Sequence, residues 1–294
     1  MKQNTNRTAF FFLVSLFFMW AFLTALNDIL IPFVKELFNF GYAQAALVQF
    51  CFFGAFAIMG WPAAKVLERF GYKMGIVIGL VLMGIGALLF YPASIFVYYP
   101  LFLGALFILA TGVTMLQVAA NPYVAVLGPA KTAASRLNLA QGFNSVAKII
   151  APLFGAILIL QGMSELPKSA QAQAVQLPYV ALSLTLFALA LVFSFLDLPN
   201  MEDLDAMSEH KASAQTSAKT SIWEHSQLYF GIVAIFMYVG AEVAVASFLT
   251  SFLGEAHIAG LNPEQAGRDF YFYLGGFMVG RFIGAVIHQH IYAE

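Results

Sequence analysis

Charged residues are scarce in this chain. Lysine, arginine, aspartate and glutamate make up 10% of its 294 residues, against roughly 25% in an ordinary soluble protein. The 14 basic and 15 acidic side chains leave a net charge of -1, so there is neither the basic face that nucleic acid requires nor an acidic tail. Cysteine is nearly absent: Cys51 stands alone, which excludes an intrachain disulfide and a cysteine-rich metal site. His288 and His290, two residues apart, cannot share a helical face and have no carboxylate or thiolate set beside them, so no metal site is expected there. Phosphate-loop, zinc-protease and serine-hydrolase patterns are also missing, and nothing supports ATP-driven transport, catalysis or a bound cofactor.

What is plentiful is apolar: 61% of the residues are hydrophobic and 16% aromatic. Apolar windows of span length recur between short polar breaks, and eight are placed: Ala9–Val34, Ala43–Ala64, Met74–Tyr91, Phe96–Leu127, Leu137–Leu160, Leu177–Leu196, Leu228–Leu253 and Phe270 to about Ile287. Each can cross a hydrocarbon layer as a helix. The first is too long for the roughly 7–15-residue core of a signal peptide and is read as an uncleaved span. From Pro199 to His225 the composition turns polar, with Glu202, Asp203, Asp205, Lys211 and Lys219 among Ser, Thr and Ala, the composition of a soluble linker. The expected organisation is therefore a six-helix domain over 1–198, a cytoplasmic linker over 199–225, and two further helices over 226–294. Orientation follows from the basic residues. A cytoplasmic N-terminus puts Lys2, Arg7, Lys65, Arg69, Lys73, Lys131, Arg136, Lys211 and Lys219 on the inner side and only Lys35, Lys168 and Arg268 on the outer, as the positive-inside rule demands.

The two parts show a weak repeat. Phe18-Met19-Trp20 aligns with Phe236-Met237-Tyr238, and Met59-Gly60-Trp61 with Val279-Gly280-Arg281. A second half repeating the first would have six spans, so the chain looks like a twelve-span transporter cut short, or a fragment of one.

Polar groups inside the apolar runs are the candidate site. Asp28 lies within the first span on one helical face with Trp20, Thr24 and Ile31. A carboxylate there must be neutral, paired or in contact with water, and is a functional candidate by default. Asn27 beside it is a weaker candidate. In the fourth span Gln117 and Asn121 share a face with Thr114 one turn earlier, and Pro122 removes a backbone donor, leaving carbonyls near Gln117 and Val118 short of helix partners. Asn138, Gln141, Asn144 and Lys148 form a stripe along the fifth span. Amides offer donors and an acceptor together, which suits a hydroxyl-rich ligand; the plainer alternative is interhelical hydrogen bonding. Glu242 in the seventh span is either a second proton site or a partner for Arg281. Trp20 could stack its ring on the apolar face of a sugar.

Three stretches resemble a known family. Ala64-Lys65-Val66-Leu67-Glu68-Arg69-Phe70-Gly71-Tyr72-Lys73 looks like the cytoplasmic G-x-x-x-D-R-x-G-R-[KR] motif of the major facilitator superfamily, departing from it at Ala64, Glu68 and Tyr72. Leu26-Asn27-Asp28-Ile29-Leu30-Ile31-Pro32 and the block from Ala119-Ala120-Asn121-Pro122-Tyr123 to Arg136-Leu137-Asn138-Leu139-Ala140-Gln141-Gly142-Phe143-Asn144-Ser145 are similar to stretches of the fucose–galactose–glucose:proton symporters within it. Gly240-Ala241-Glu242-Val243 resembles the seventh span of the glucose/galactose branch.

The resemblance implies an all-α membrane bundle with eight of twelve expected transmembrane helices, working by alternating access around a midplane sugar site. It implies proton coupling at Asp28 and places Gln141, Asn144 and Trp20 around the sugar, with Glu68, Arg69, Gly71 and Lys73 in the gating motif. The polar pattern adds Glu242 as a second proton-coupling candidate and Asn27, Gln117 and Asn121 as further sugar-contact candidates. Gln117 stands where the fucose branch carries glutamate, which argues against a two-carboxylate relay and for a glucose- or galactose-like hexose. The implied partners are a monosaccharide, a proton or sodium in its place, and membrane lipid, in the inner membrane of a bacterium. The competing expectation is a membrane sugar sensor, or a truncated transporter that does not transport.

Overall fold

A computed structural model describes residues 2–160, 167–196, 198, 226–261 and 263–290. Among them the long elements are all helices: α1 (Lys2–Phe38), α2 (Tyr42–Ala45), α3 (Leu47–Leu88), α4 (Phe90–Phe96), α5 (Tyr99–Val126), α6 (Ala133–Gly155), α7 (Lys168–Gln173), α8 (Gln176–Phe195), α9 (Ser226–Gly254) and α10 (Pro263–His290). A short 3-10 turn, Ala130–Thr132, leads into α6, and a wider helical turn over Ala156–Leu160 ends it shortly after Pro152. Proline inside a helix removes one backbone hydrogen bond, and such irregular turns accommodate the loss.

Among the described residues, seven helical stretches are long and apolar enough to cross a bilayer: Ala9–Phe38, Ala43–Phe96, Tyr99–Val126, Ala130–Leu160, Lys168–Phe195, Ser226–Val245 and Asp269–His290. The chain is a multi-pass membrane protein. The second stretch, 54 residues, is more than twice the roughly 20 residues a bilayer requires. It is broken at Gly71, whose φ of 79° and ψ of 168° lie outside the helical region. A side chain is strained at this φ, so glycine is the residue that lets the helix turn here. The two arms on either side of Gly71 correspond to the separate second and third spans expected from the sequence.

The chain forms two compact units. The first holds α1 to α8 together with α10 from Gly280 onward; the second holds α9 and α10 up to Val279. The polar linker expected over 199–225 lies outside the described residues.

In the first unit α1 packs against α6, and α3 packs against α5 and α8. Phe17 meets Asn144 and Ile29 meets Gly155, so α1 and α6 run in the same direction. The α3–α5 contact is backbone to backbone: a Cβ added at Gly112 would stand 2.5 Å from the carbonyl oxygen of Gly79. Small residues give helices in lipid close approach, because dispersion contacts rather than water exclusion hold them together. Large apolar side chains such as Phe50, Leu177 and Phe195 are 77–79% exposed. In water that display would drive aggregation, whereas against acyl chains it costs nothing.

Candidate functional site

Asn27 and Asp28 are neighbours on α1 that face different surroundings. Asn27 is 1% exposed, whereas Asp28 is exposed. Between them stands Gln49, near the start of α3. The Asn27 amide Nδ2 donates to Gln49 Oε1 at 2.8 Å, and Gln49 Nε2 donates to Asp28 Oδ1 at 2.6 Å. A charged acceptor makes the second bond the stronger one. The other end of the chain is open: Asn27 Oδ1 is buried with no hydrogen-bond partner among the described residues. From α6, the positive charge of Lys148 acts on the Asp28 carboxylate.

The α6 stripe reaches both α1 and α10. Asn144, buried, donates from Nδ2 to the Phe17 carbonyl at 3.1 Å. Gln141 accepts from Arg281 Nη1 through both its main-chain oxygen, at 3.0 Å, and Oε1, at 3.1 Å. The same Arg281 nitrogen donates to Ser145 Oγ at 3.1 Å, and Ser145 Oγ donates to the Gln141 carbonyl at 3.0 Å. Arg281 belongs to the part of α10 that packs in the first unit, where Phe282 meets Phe143 edge to face at 5.7 Å and Ser135 Oγ donates to the Ala285 carbonyl at 2.6 Å.

On α5, Asn121 Nδ2 donates to the Gln117 carbonyl at 2.9 Å, so one of the carbonyls expected to be freed near Pro122 is served by a side chain on its own helix. Gln117 itself is half-buried. Thr114 Oγ1 returns to the Ala110 carbonyl at 2.8 Å. These bonds are local to α5. Trp20 is 3% exposed and packs on Phe17 with ring centroids 4.1 Å apart, and Thr24 Oγ1 bonds to its carbonyl at 2.7 Å. The indole therefore sits in the core of the first unit.

The turn that delivers α6 to α1 is held by Arg136. Its guanidinium donates to the carbonyls of Val124 at 3.1 Å, Pro129 at 3.0 Å and Gly128 at 3.3 Å, to that of Ala125, and to Thr132 Oγ1 at 2.6 Å. Carbonyls at a helix C-terminus have no intrahelical partners, and a planar cation with five donors satisfies several together. At the Gly71 break, Glu68 and Arg69 are exposed and Lys73 is half-buried, and the Arg69 guanidinium lies 5.4 Å from the centre of the Phe70 ring. In the second unit, Glu242 is half-buried and its charge acts on Tyr273.

The structure thus joins Asn27 to Asp28 through Gln49, and links α1 to α6 through Asn144. Sequence patterning singled out neither Gln49 nor Ser145. Gln49 opens an apolar helix beside a loop, where a polar residue is unremarkable; only its reach across to α1 marks it.

A helical membrane bundle with polar groups converging from several spans defines a transporter class. Residues 9–292 match the family model described as Major Facilitator Superfamily, and the chain belongs to that family. Among its relatives, the glucose/galactose transporter of Brucella abortus biovar 1 (strain 9-941) is 49% identical over 280 residues, covering 95% of this chain and 66% of the relative. The L-fucose-proton symporter of Escherichia coli (strain K12) is 37% identical over 290 residues, covering 94% of this chain and 65% of the relative. The crystal structure of the transporter FucP in the outward conformation superposes with a TM-score of 0.80 at 32% identity, covering 98% of this chain and 72% of that one. The chain thus spans about two thirds of the length of these relatives.

Proposed function

We propose that the chain carries the proton site and much of the sugar site of a proton-coupled monosaccharide transporter that works by alternating access. The observation that carries this is the Asp28 carboxylate. It is exposed within an apolar span and held by Gln49, with the charge of Lys148 acting from α6. Exposure of such a group to acyl chains is prohibitively costly, so its open side faces water. A carboxylate that meets water in a membrane span can take up and release a proton. Names and likeness support the cargo: relatives are a glucose/galactose transporter and a fucose-proton symporter.

Glucose or galactose is favoured over fucose. Gln117 cannot take a proton where the fucose branch carries a glutamate, and the glucose/galactose relative is the more similar of the two. Gln141 and Asn144 on α6 are the leading sugar ligands and Gln117 and Asn121 on α5 the next; Asn27 and Trp20, packed away in the core, join them only on rearrangement of α1. Protonation of Asp28 from the outside permits sugar binding in the outward-facing state; release of the proton to the cytoplasm completes inward delivery. Glu242 serves as a second carboxylate in the other unit. The Glu68–Lys73 segment, turning at Gly71, acts as a cytoplasmic gate. The host membrane is the inner membrane of a bacterium, with the N-terminus cytoplasmic as the basic residues demand.

The test is Asp28→Asn. Uphill hexose uptake driven by a pH gradient should vanish while sugar exchange without a gradient persists. Uphill uptake at the unmodified rate would remove Asp28 from the coupling role.

A further inference from the structure

We propose that Gln49 is the positioning residue of the proton site: an amide whose polarity follows the charge of Asp28 and passes it on to Asn27. The inference rests on Asp28 being the proton site. It starts from the order of donors and acceptors. An ionised carboxylate only accepts, so Gln49 must turn its NH2 toward Asp28, as it does at 2.6 Å. Its oxygen then has to face Asn27, which in turn must present its own NH2, as it does at 2.8 Å. Each amide fixes the next.

A proton taken from water onto Asp28 reverses this order. The neutral acid has an O–H to donate and needs an acceptor, which Gln49 supplies by turning its oxygen round. The Gln49 NH2 then faces Asn27, where two donors would collide unless Asn27 also turns. The acceptor required is at hand, because Asn27 Oδ1 is now buried and unused. Asn27 is 1% exposed, so the change of charge at an open carboxylate reaches the packed surface between α1 and α3. Other groups near the site enter differently. Lys148 acts on Asp28 from α6, Lys35 and Glu36 lie further along α1, and Tyr99 at the start of α5 donates to the Gln44 carbonyl at 2.8 Å. None of these stands in the hydrogen-bonded line between Asp28 and Asn27.

Removing Gln49 takes a hydrogen bond from both forms, but the one to the ionised carboxylate is charge-assisted and the stronger, so Asp28 should hold its proton to higher pH. The readout is infrared titration of the protonated-carboxyl stretch in the purified full chain, assigned to Asp28 by its loss in Asp28→Asn. In Gln49→Leu the midpoint should rise by about one pH unit or more, tenfold in proton affinity. In Gln49→Glu, which keeps length and polarity should the leucine variant not fold, a second carboxylate beside Asp28 should raise the midpoint as well. An Asp28 band with an unshifted midpoint in either folded variant overturns the role of Gln49 and leaves Asp28 as the proton site. If no titrating carboxyl band of the unmodified chain is lost in Asp28→Asn, the proton site is overturned and this inference with it.

Discussion

Gln49 ties the Asp28 carboxylate to the buried Asn27 amide, a polar line of which the carboxylate stands out inside an apolar run and the amide near a helix start does not. The same contrast applies along α6. Patterning marked Gln141 and Asn144 as a stripe, but only the folded chain shows that Asn144 spends a donor on the Phe17 carbonyl and that Gln141 Oε1 is occupied by Arg281. Sugar binding would therefore draw on the free Gln141 NH2 and Asn144 oxygen, or displace Arg281. Asn144→Ala should weaken hexose binding at least tenfold, more than the roughly 1 kcal/mol of one neutral hydrogen bond, because it removes a sugar contact together with an α1–α6 tie. Equilibrium binding of labelled hexose checks this, and an unchanged affinity would reduce Asn144 to a packing residue. Gln117→Glu restores the carboxylate of the fucose branch at a half-buried position. The pH profile of uptake should then gain a second step, measured as initial rate against external pH.

At the scale of elements, most helices could be placed from hydropathy alone, since bilayer thickness sets their length. What hydropathy could not see was where they bend and what fastens them. The second and third spans run on as one helical stretch whose single break is Gly71, and the 3-10 turn before α6 is clasped by Arg136. Both lie in blocks that resemble the family, yet their mechanics are three-dimensional: a positive φ and a set of carbonyls brought round to one guanidinium. Arg136→Gln cannot reach all of these part-buried acceptors, and losing several such bonds should cost about 1 kcal/mol, seen as a lower unfolding temperature in detergent. Gly112→Val drives a branched side chain into the Gly79 backbone. It should destabilise the α3–α5 pair by about 1–3 kcal/mol, with the Asp28 region left intact in the infrared spectrum. A Gly112→Val protein as stable as the parent would contradict the close packing.

For the whole molecule, composition settled the class early. So little charge amid so much apolar surface admits a membrane bundle and little else, and the exposed Phe50, Leu177 and Phe195 are the folded expression of that balance. A polar stretch suggests a boundary after residue 198. The last part of α10, from Gly280, packs with the first unit through Arg281, Phe282 and Ala285. Those contacts depend on the register of α10, which apolar runs do not encode. The chain belongs to the Major Facilitator Superfamily and is 49% identical to a glucose/galactose transporter, so the property to test in the proposed symport is coupling: whether each hexose crosses with a proton that has resided on Asp28. The direct measurement is the internal pH of liposomes containing the reconstituted 294-residue chain, followed when galactose is added outside. Acidification of the lumen on galactose addition, abolished in Asp28→Asn, is the predicted result. Galactose entry with no proton movement, or proton movement that survives Asp28→Asn, would contradict it.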